Sequence, residues 1–338
     1  MSTNWDIDER DFPRDGATLL KLRFAARYAT LAPSSHNSQP WRFYVSGDTI
    51  TVVADRSRCL AVIDPYDREL IISCGAALLN LCVALAHFGM AFEIDAFPAE
   101  AEPDVIAVLH VRETGTPDAH LAALFPAITQ RATNRGHFEP EPVPPELQQR
   151  LRAEADAAGV TLATVTSQAQ RASVAQLITQ ADTLQFTDAR FRRELASWIH
   201  SSRAHDGMPA FALGVPRLLD FEAPIAGMVL RTFDVGAGVV ARDNALVQGS
   251  PLLLCFATAR DAAPEWLFTG QALERVLLRA RLEGYDASYL NQPIEIPRLR
   301  QTLREILQLE DMPQLLVRVG RGAPVTRSPR RPIEEVMN

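Results

Sequence analysis

At 338 residues, with 47% apolar and 22% charged side chains, the chain has the composition of a folded globular protein and the length of one large or two ordinary domains. A net charge of −7 argues against a nucleic-acid partner. The start Met1-Ser2-Thr3-Asn4-Trp5-Asp6 is polar and acidic, unlike a secretory signal, and no uncharged apolar run approaches the ~18 residues of a membrane span. Cys59, Cys74, Cys82 and Cys255 make no CxxC pair, and no Cys/His cluster has zinc-ligand spacing. The expectation is a soluble, metal-free protein of a reducing, cytoplasmic compartment, with no membrane and no nucleic-acid partner.

In chain order, Leu19, Leu20, Leu22, Phe24, Ala25 and Tyr28 give residues 17–31 a helical period. The run Ala32-Pro33-Ser34-Ser35-His36-Asn37-Ser38-Gln39-Pro40 breaks it. Two strands follow, Trp41 to Ser46 and Thr49 to Ala54, around the turn Ser46-Gly47-Asp48. An almost uncharged helix is expected from Glu69 to Phe88, apolar on every side and hence buried, with a further strand at Val105 to Val111. Beyond Arg131-Ala132-Thr133-Asn134-Arg135, a proline-rich passage leads into a helix at Pro145 to Ala158, with Pro145 and Glu146 in its first turn. Gly159 ends that helix and a strand, Val160 to Val165, follows at once. Helices are expected over 168–184 and 188–200. The Gly- and Pro-rich passage 203–249 reads as a long loop or lid with short helical pieces. The remaining elements are a strand at Pro251 to Thr258, a buried helix at Gly270 to Glu283, a helix at Arg298 to Leu307 and a strand at Gln314 to Val319.

Two of these pieces repeat. Gly75-Ala76-Ala77-Leu78 through Gly89 aligns with Gly270-Gln271-Ala272-Leu273 through Gly284, at the same 14-residue spacing from glycine to glycine. Two buried helices can share small and apolar residues without common descent, but the matching order of helix, loop and strands around both points to a duplication. The expected architecture is α+β: two fused half-copies, residues 1–125 and 126–338, each with a mixed or antiparallel sheet flanked by helices. A pseudo-twofold axis relates them, with the two buried helices near it and a lid insertion at about 203–249.

Three segments carry polar chemistry. Pro33 to Trp41 is a tight loop with two hydroxyls, an amide and a rigid Gln-Pro-Trp exit. It suits a planar polar ligand, or equally an ordinary helix C-cap with a proline-stiffened turn. In Arg131-x-Thr133-x-Arg135, two guanidiniums and a hydroxyl at alternate positions of an extended strand would share one face. That face suits a phosphate or a polarised carbonyl, or plain solvation. The tail Arg327 to Val336 is a charge run with Arg330 and Arg331 within it, and a weaker fourth piece, Ala287-Ser288-Tyr289-Leu290-Asn291-Gln292, follows Gly284.

The loop resembles the Pro-Ser-x-x-Asn-x-Gln-Pro-Trp signature of the flavin-dependent nitroreductase superfamily, with every fixed position present. The arginine segment is similar to that family's opening Arg-x-Ser-x-Arg/Lys motif, and Pro142-Val143-Pro144 to the stretch after it. The tail is similar to its closing basic-Pro-Leu-Glu-Glu-Val stretch. The resemblance implies a nitroreductase-like fold and one FMN per chain. Ser34, Ser35, His36, Asn37 and Gln39 would then touch the flavin from an interface loop. Arg131 and Thr133, with Arg330 and Arg331, would hold the phosphate or ribityl chain. Arg135 would lie by the flavin N1/C2 carbonyl as a catalytic charge, and Tyr289, Leu290 and Asn291 would line the N5 edge, the Leu290 amide being catalytic.

The serine loop occurs only in the first half, and the arginine segment and basic tail only in the second. One of two pseudo-equivalent sites would survive, as in the Acg-type branch of the family. The implied activity is two-electron transfer from NADH or NADPH to a nitroaromatic, quinone or similar small-molecule electron acceptor, with Trp41 and the lid excluding water. The alternative is a protein that binds or sequesters FMN without significant turnover, beneath a lid packed on the flavin. Glycines at 207, 214, 227, 236 and 238 imply that the lid moves. His36 would donate a proton or stiffen its loop by hydrogen bonding. The family's usual dimer is internalised, which leaves a monomer (an internal pseudo-dimer) or a further homodimer.

Overall fold

Alternation in Trp41-Arg42-Phe43-Tyr44-Val45-Ser46 turns three apolar side chains inward, so β1 (Trp41–Ser46) and β2 (Thr49–Ala54) form a hairpin closed over the left-handed Gly47. The computed structural model describes residues 4–201, 203–209 and 236–338. With β3 (Ala91–Ala96) and β4 (Val105–Arg112) the hairpin makes an antiparallel sheet of order β1-β2-β4-β3. Helices α1 (Thr18–Ala29) and α2 (Arg68–His87) share its apolar core, joined by the short α3 (Ala119–Ala122) and α4 (Phe125–Ile128).

The second half repeats the plan with additions. Its helix α5 (Pro145–Asp156) passes through Gly159 into β5 (Thr161–Thr164). Then come α6 (Gln168–Thr187), α7 (Ala189–Ser197), the two-residue strands β6 (Ile199–His200) and β7 (Met208–Pro209), and α8 (Gly236–Gln248). Strand β8 (Leu252–Thr258) leads into α9 (Ala263–Leu282), β9 (Asp286–Tyr289), α10 (Gln292–Glu295), α11 (Pro297–Ile306), β10 (Met312–Gly320) and α12 (Ile333–Val336). The sheet order, β5-β8-β10-β9, is that of the first half, and it too is antiparallel. Helices α5 and α9 pack on one face of this sheet, and α6, α10 and α11 on the other. Among the described residues, parallel pairing reaches these two sheets only as isolated bridges, Thr133 to Ala287 and Phe43 to Met337.

The repeated helices meet each other. α2 and α9 are both 20 residues long and end at left-handed glycines, Gly89 (φ 81°) and Gly284 (φ 78°), each followed by an edge strand. They cross at Gly75 and Gly270, the two residues that the repeat aligns. A methyl group on Gly270 would lie 2.0 Å from the Ile72 carbonyl oxygen and 2.8 Å from the Gly75 α-carbon. One on Gly75 would lie 2.3 Å from the Leu267 carbonyl oxygen. A residue on a twofold axis faces its own equivalent, and here that pair has no room for a side chain.

Several expectations change. Edge strands β3 and β9 were not anticipated: β3 is largely exposed and β9 is only four residues long. Helix α9 begins at Ala263 rather than Gly270. By length and composition α2 could cross a membrane, contrary to the reading that no apolar run approaches that length, but 94% of its apolar window is buried inside the protein. Of the expected lid at 203–249, position 202 beside it and residues 210–235, with Gly214 and Gly227, lie outside the described residues; 236–248 form a helix of 13 residues rather than short pieces.

Gly270→Ala is expected to lower the unfolding free energy by about 3 kcal/mol, because backbone on both sides of the crossing must move. Gly89→Ala has nothing within 4 Å of the added methyl and should lose only about 1 kcal/mol to its positive φ. Urea denaturation of both variants checks this; equal losses would mean that the crossing yields to a methyl group.

Candidate active site

A cavity of about 650 Å3 opens where the halves meet. The first half contributes residues 33–37 and the start of α2. The second contributes Thr133, Arg135, the end of β9, and side chains of α6, α8 and α10, with Ser328 and Arg330 from the tail. Of the residues singled out in the sequence, Ser34, Ser35, His36, Asn37, Thr133, Arg135, Tyr289, Leu290, Asn291 and Arg330 line it. Arg131, Gln39 and Arg331 stand behind the wall. Trp41, expected to exclude water, is fully buried in the first-half core and is no part of the wall.

The loop between α1 and β1 is held in an unusual shape. His36, Asn37 and Gln39 have φ of 52°, 55° and 53°, a region that residues other than glycine seldom occupy. Each such residue costs about 1 kcal/mol or more, so the loop needs fixing from outside. Asn37 Nδ2 donates to the carbonyls of Gly207 (2.9 Å) and Pro329 (3.0 Å), and its Oδ1 accepts from Arg330 Nη1 at 2.8 Å. Gln39 Nε2 donates to the His205 carbonyl at 2.9 Å, and its Oε1 accepts the Arg331 N–H at 2.8 Å. Ser34 Oγ accepts the Gln39 N–H at 2.9 Å, Ser35 Oγ donates to Glu69, and Arg58 donates to the Ser38 carbonyl. Asn37 and Gln39 therefore bind the protein's own tail and the 205–207 turn.

The arginine segment is extended, but it is a single bridge to β9 rather than a strand, and its side chains part. Arg131 turns inward, donating to the Leu31 carbonyl at 3.0 Å and lying 3.4 Å from Glu274 on α9, whose carboxyl is wholly buried. Arg330 donates to the same Leu31 carbonyl at 3.1 Å and stacks on Trp5. Burial, then the neighbouring Arg131, pushes the Arg330 guanidinium down to about 9, so it stays charged at neutral pH. Burial likewise raises the Glu274 carboxyl and lowers Arg135. The Arg135 side chain faces the cavity and makes no hydrogen bond to a described residue. Arg331 is buried beside Asp55 (3.9 Å) and Glu335 (3.5 Å).

At the β9 end, the Leu290 N–H donates to the Leu316 carbonyl at 2.9 Å, and Asn291 Oδ1 accepts the Leu316 N–H at 3.0 Å. The amide assigned a catalytic part is thus committed to the sheet. Tyr289 Oη, His36 Nε2 and Arg330 Nε are buried without a hydrogen-bond partner among the described residues. Among the described residues, His36 Nε2 makes none of the bonds expected to stiffen its loop. Burial, then nearby Arg135, pushes its imidazole down to about 4. Residues that the sequence reading passed over also reach the site. Asp182, Asp243 and Glu295 line it, and Glu274 and Asn80 are buried polar groups behind the lining, on the two central helices.

The profile of the Nitroreductase family matches residues 128–321. Rv3131 of Mycobacterium tuberculosis (strain H37Rv), provisionally named an NAD(P)H nitroreductase, is 31% identical, covering 94% of this chain and 90% of that protein. The protein acg of the same strain, provisionally named likewise, is 27% identical over 94% of this chain and 95% of its own length. Among solved structures, the FMN-dependent nitroreductase NfnB from Mycobacterium smegmatis in complex with NADPH is 15% identical. It covers 64% of this chain and 98% of that one, with a TM-score of 0.43.

With its folded value below the ordinary one, His36 should stay neutral until the pH falls to about 4. Its burial contributes stability present above pH ~6.5 and lost as the pH falls through that window. Nitrogen-detected NMR of the ring should show one unchanging neutral tautomer from pH 8 to 5; titration near 6.5 would place the ring in water.

Proposed function

Because the chain belongs to the Nitroreductase family, we propose that it is an FMN-dependent NAD(P)H oxidoreductase of the Acg-type branch, reducing a nitroaromatic, a quinone or a similar flat acceptor. The supporting observation is a surplus of buried positive charge. Arg131 and Arg330 share one carboxylate, Glu274. Around Arg135, Arg242 and Asp243 oppose one another and leave its guanidinium facing the cavity. A buried charge without a counter-ion costs several kcal/mol, so this end calls for an anion. The phosphate of FMN suits Arg330 and Thr133, and the free Tyr289 hydroxyl and His36 Nε2 suit a polar ring system.

Bound FMN would supply the hydride relay between NAD(P)H and the acceptor. Arg135 would hold positive charge beside the ring, Arg131 would keep Glu274 ionised behind it, and the clamped 33–37 loop would fix the ring's position. Arg331 and Gln39 would act through that clamp. We assign the first half to residues 1–125 and the second to 126–338. Both halves of one chain build the cavity, so a monomer suffices and a homodimer would be a second pairing. Four unpaired cysteines accord with a cytoplasmic setting.

Anaerobic stopped-flow tests this. The purified protein should carry one FMN per chain, bleach on mixing with NADPH or NADH, and regain colour with a quinone or nitroaromatic. Arg135→Ala should slow bleaching about 100-fold. Flavin that stays oxidised for minutes with both nucleotides would make this an FMN-holding protein, and absence of flavin would remove the charge argument.

A further inference from the structure

The cavity also carries acidic and aromatic side chains, Asp182, Phe186 and Phe191 among them. Asp182 and Phe186 stand one turn apart on α6 and both face the cavity. Phe191 meets Phe186 edge-on, with ring centroids 5.4 Å apart and planes at 74°. Asp182 is 1% exposed, and neither of its carboxyl oxygens has a hydrogen-bond donor among the described residues. Gln292, beside it, gives its Nε2–H to Asp243 at 2.6 Å and leaves its own Oε1 buried without a partner. Glu295 already accepts from Gln185 Nε2 at 2.5 Å. Among the described residues, three acceptor oxygens, two of Asp182 and one of Gln292, therefore lack donors, at a cost of about 1–3 kcal/mol for each group so stranded.

Burial and the neighbouring Asp243 push the Asp182 carboxyl up to about 7. The cations of this region act on its neighbours: Arg242, Arg318 and Arg135 on Asp243, and Arg68 on Glu295. Among the described residues no cation acts on the Asp182 carboxyl itself, so a positively charged ligand is the partner it suits.

We propose that the Asp182 wall is the acceptor subsite and selects acceptors that carry a protonated amine next to an aromatic ring. The ammonium donates to the Asp182 carboxylate and to Gln292 Oε1, filling the three vacant acceptor positions. The ring lies against Phe186 and Phe191, which also favour the adjoining cation. The reading of this ligand as an electron acceptor rests on the reductase function proposed above; the charge preference of the subsite does not.

The test is isothermal titration of the flavin-loaded protein at pH 8, without nucleotide, using 4-nitrophenethylamine and 4-nitrophenethyl alcohol. The two probes differ only in their terminal group. The amine is expected to bind at least about tenfold more tightly, the worth of one charge-assisted hydrogen bond. Asp182→Asn should bring the amine to the level of the alcohol and leave the alcohol unchanged. Equal binding of the two probes by the unsubstituted protein overturns the proposal without recourse to a variant, and so does an amine preference that survives Asp182→Asn. Selective amine binding by a protein whose flavin neither nucleotide bleaches would keep the subsite and remove the reductase reading.

Discussion

The contact of Gly75 with Gly270 sets the separation of the two halves, and with it the dimensions of everything between them. Two helices packed through ordinary side chains keep their axes about 8–10 Å apart. Here backbone meets backbone, and the next turns carry the polar groups that the site depends on. Glu274 lies one turn beyond Gly270, fully buried, and is the counter-charge of Arg131. Ile72 and Ser73, just before Gly75, form part of the cavity wall. The same crossing that joins the duplicated units thus positions the carboxylate that holds the arginine end in place.

A duplicated frame would give two cavities if both copies were complete. The difference lies in one connection. Eleven residues, 30–40, separate α1 from β1, and four, 157–160, separate α5 from β5. The first connection is the clamped, left-handed loop of the cavity, whereas the second turns at Gly159 and has no length to make one. Near the N-terminus, Glu9–Asp11 form a short 3-10 turn where the second half has its arginine segment. The second half carries instead the added helices α6, α7, α8 and α10. These provide the acidic and aromatic wall that a plain repeat would lack.

Much of the frame was legible because its signals are local. Strict alternation and a two-residue turn place the β1–β2 hairpin to the residue, and the glycine-to-glycine repeat points to two buried helices near a pseudo-twofold axis. Local patterns fail where partners are distant. Asn37 and Gln39 are residue types a flavin would use, but Asn37 donates to the Pro329 carbonyl and Gln39 accepts the Arg331 N–H, each from 292 positions away. Arg131 and Arg135 belong to one motif, yet one serves the core and the other the cavity. Strand β9 pairs with β10 over four residues, too few for an alternation to register. Asp182 did carry a signal: it interrupts the buried face formed by Val174, Ala175, Ile178 and Ala181, where an acidic residue needs a reason.

The clamp on the 33–39 loop has a consequence in time. Sheet β1-β2-β4-β3 and helices α1 and α2 are contiguous in the chain and share one core, so a growing polypeptide can condense them early. The loop that this core displays cannot hold three left-handed residues without Asn37 and Gln39 gripping the passage from 329 to 331. That passage is made nearly three hundred residues later. The cavity is therefore among the last parts of the molecule to form. A chain still on the ribosome has an unfinished pocket, and any ligand must wait for the tail to come home.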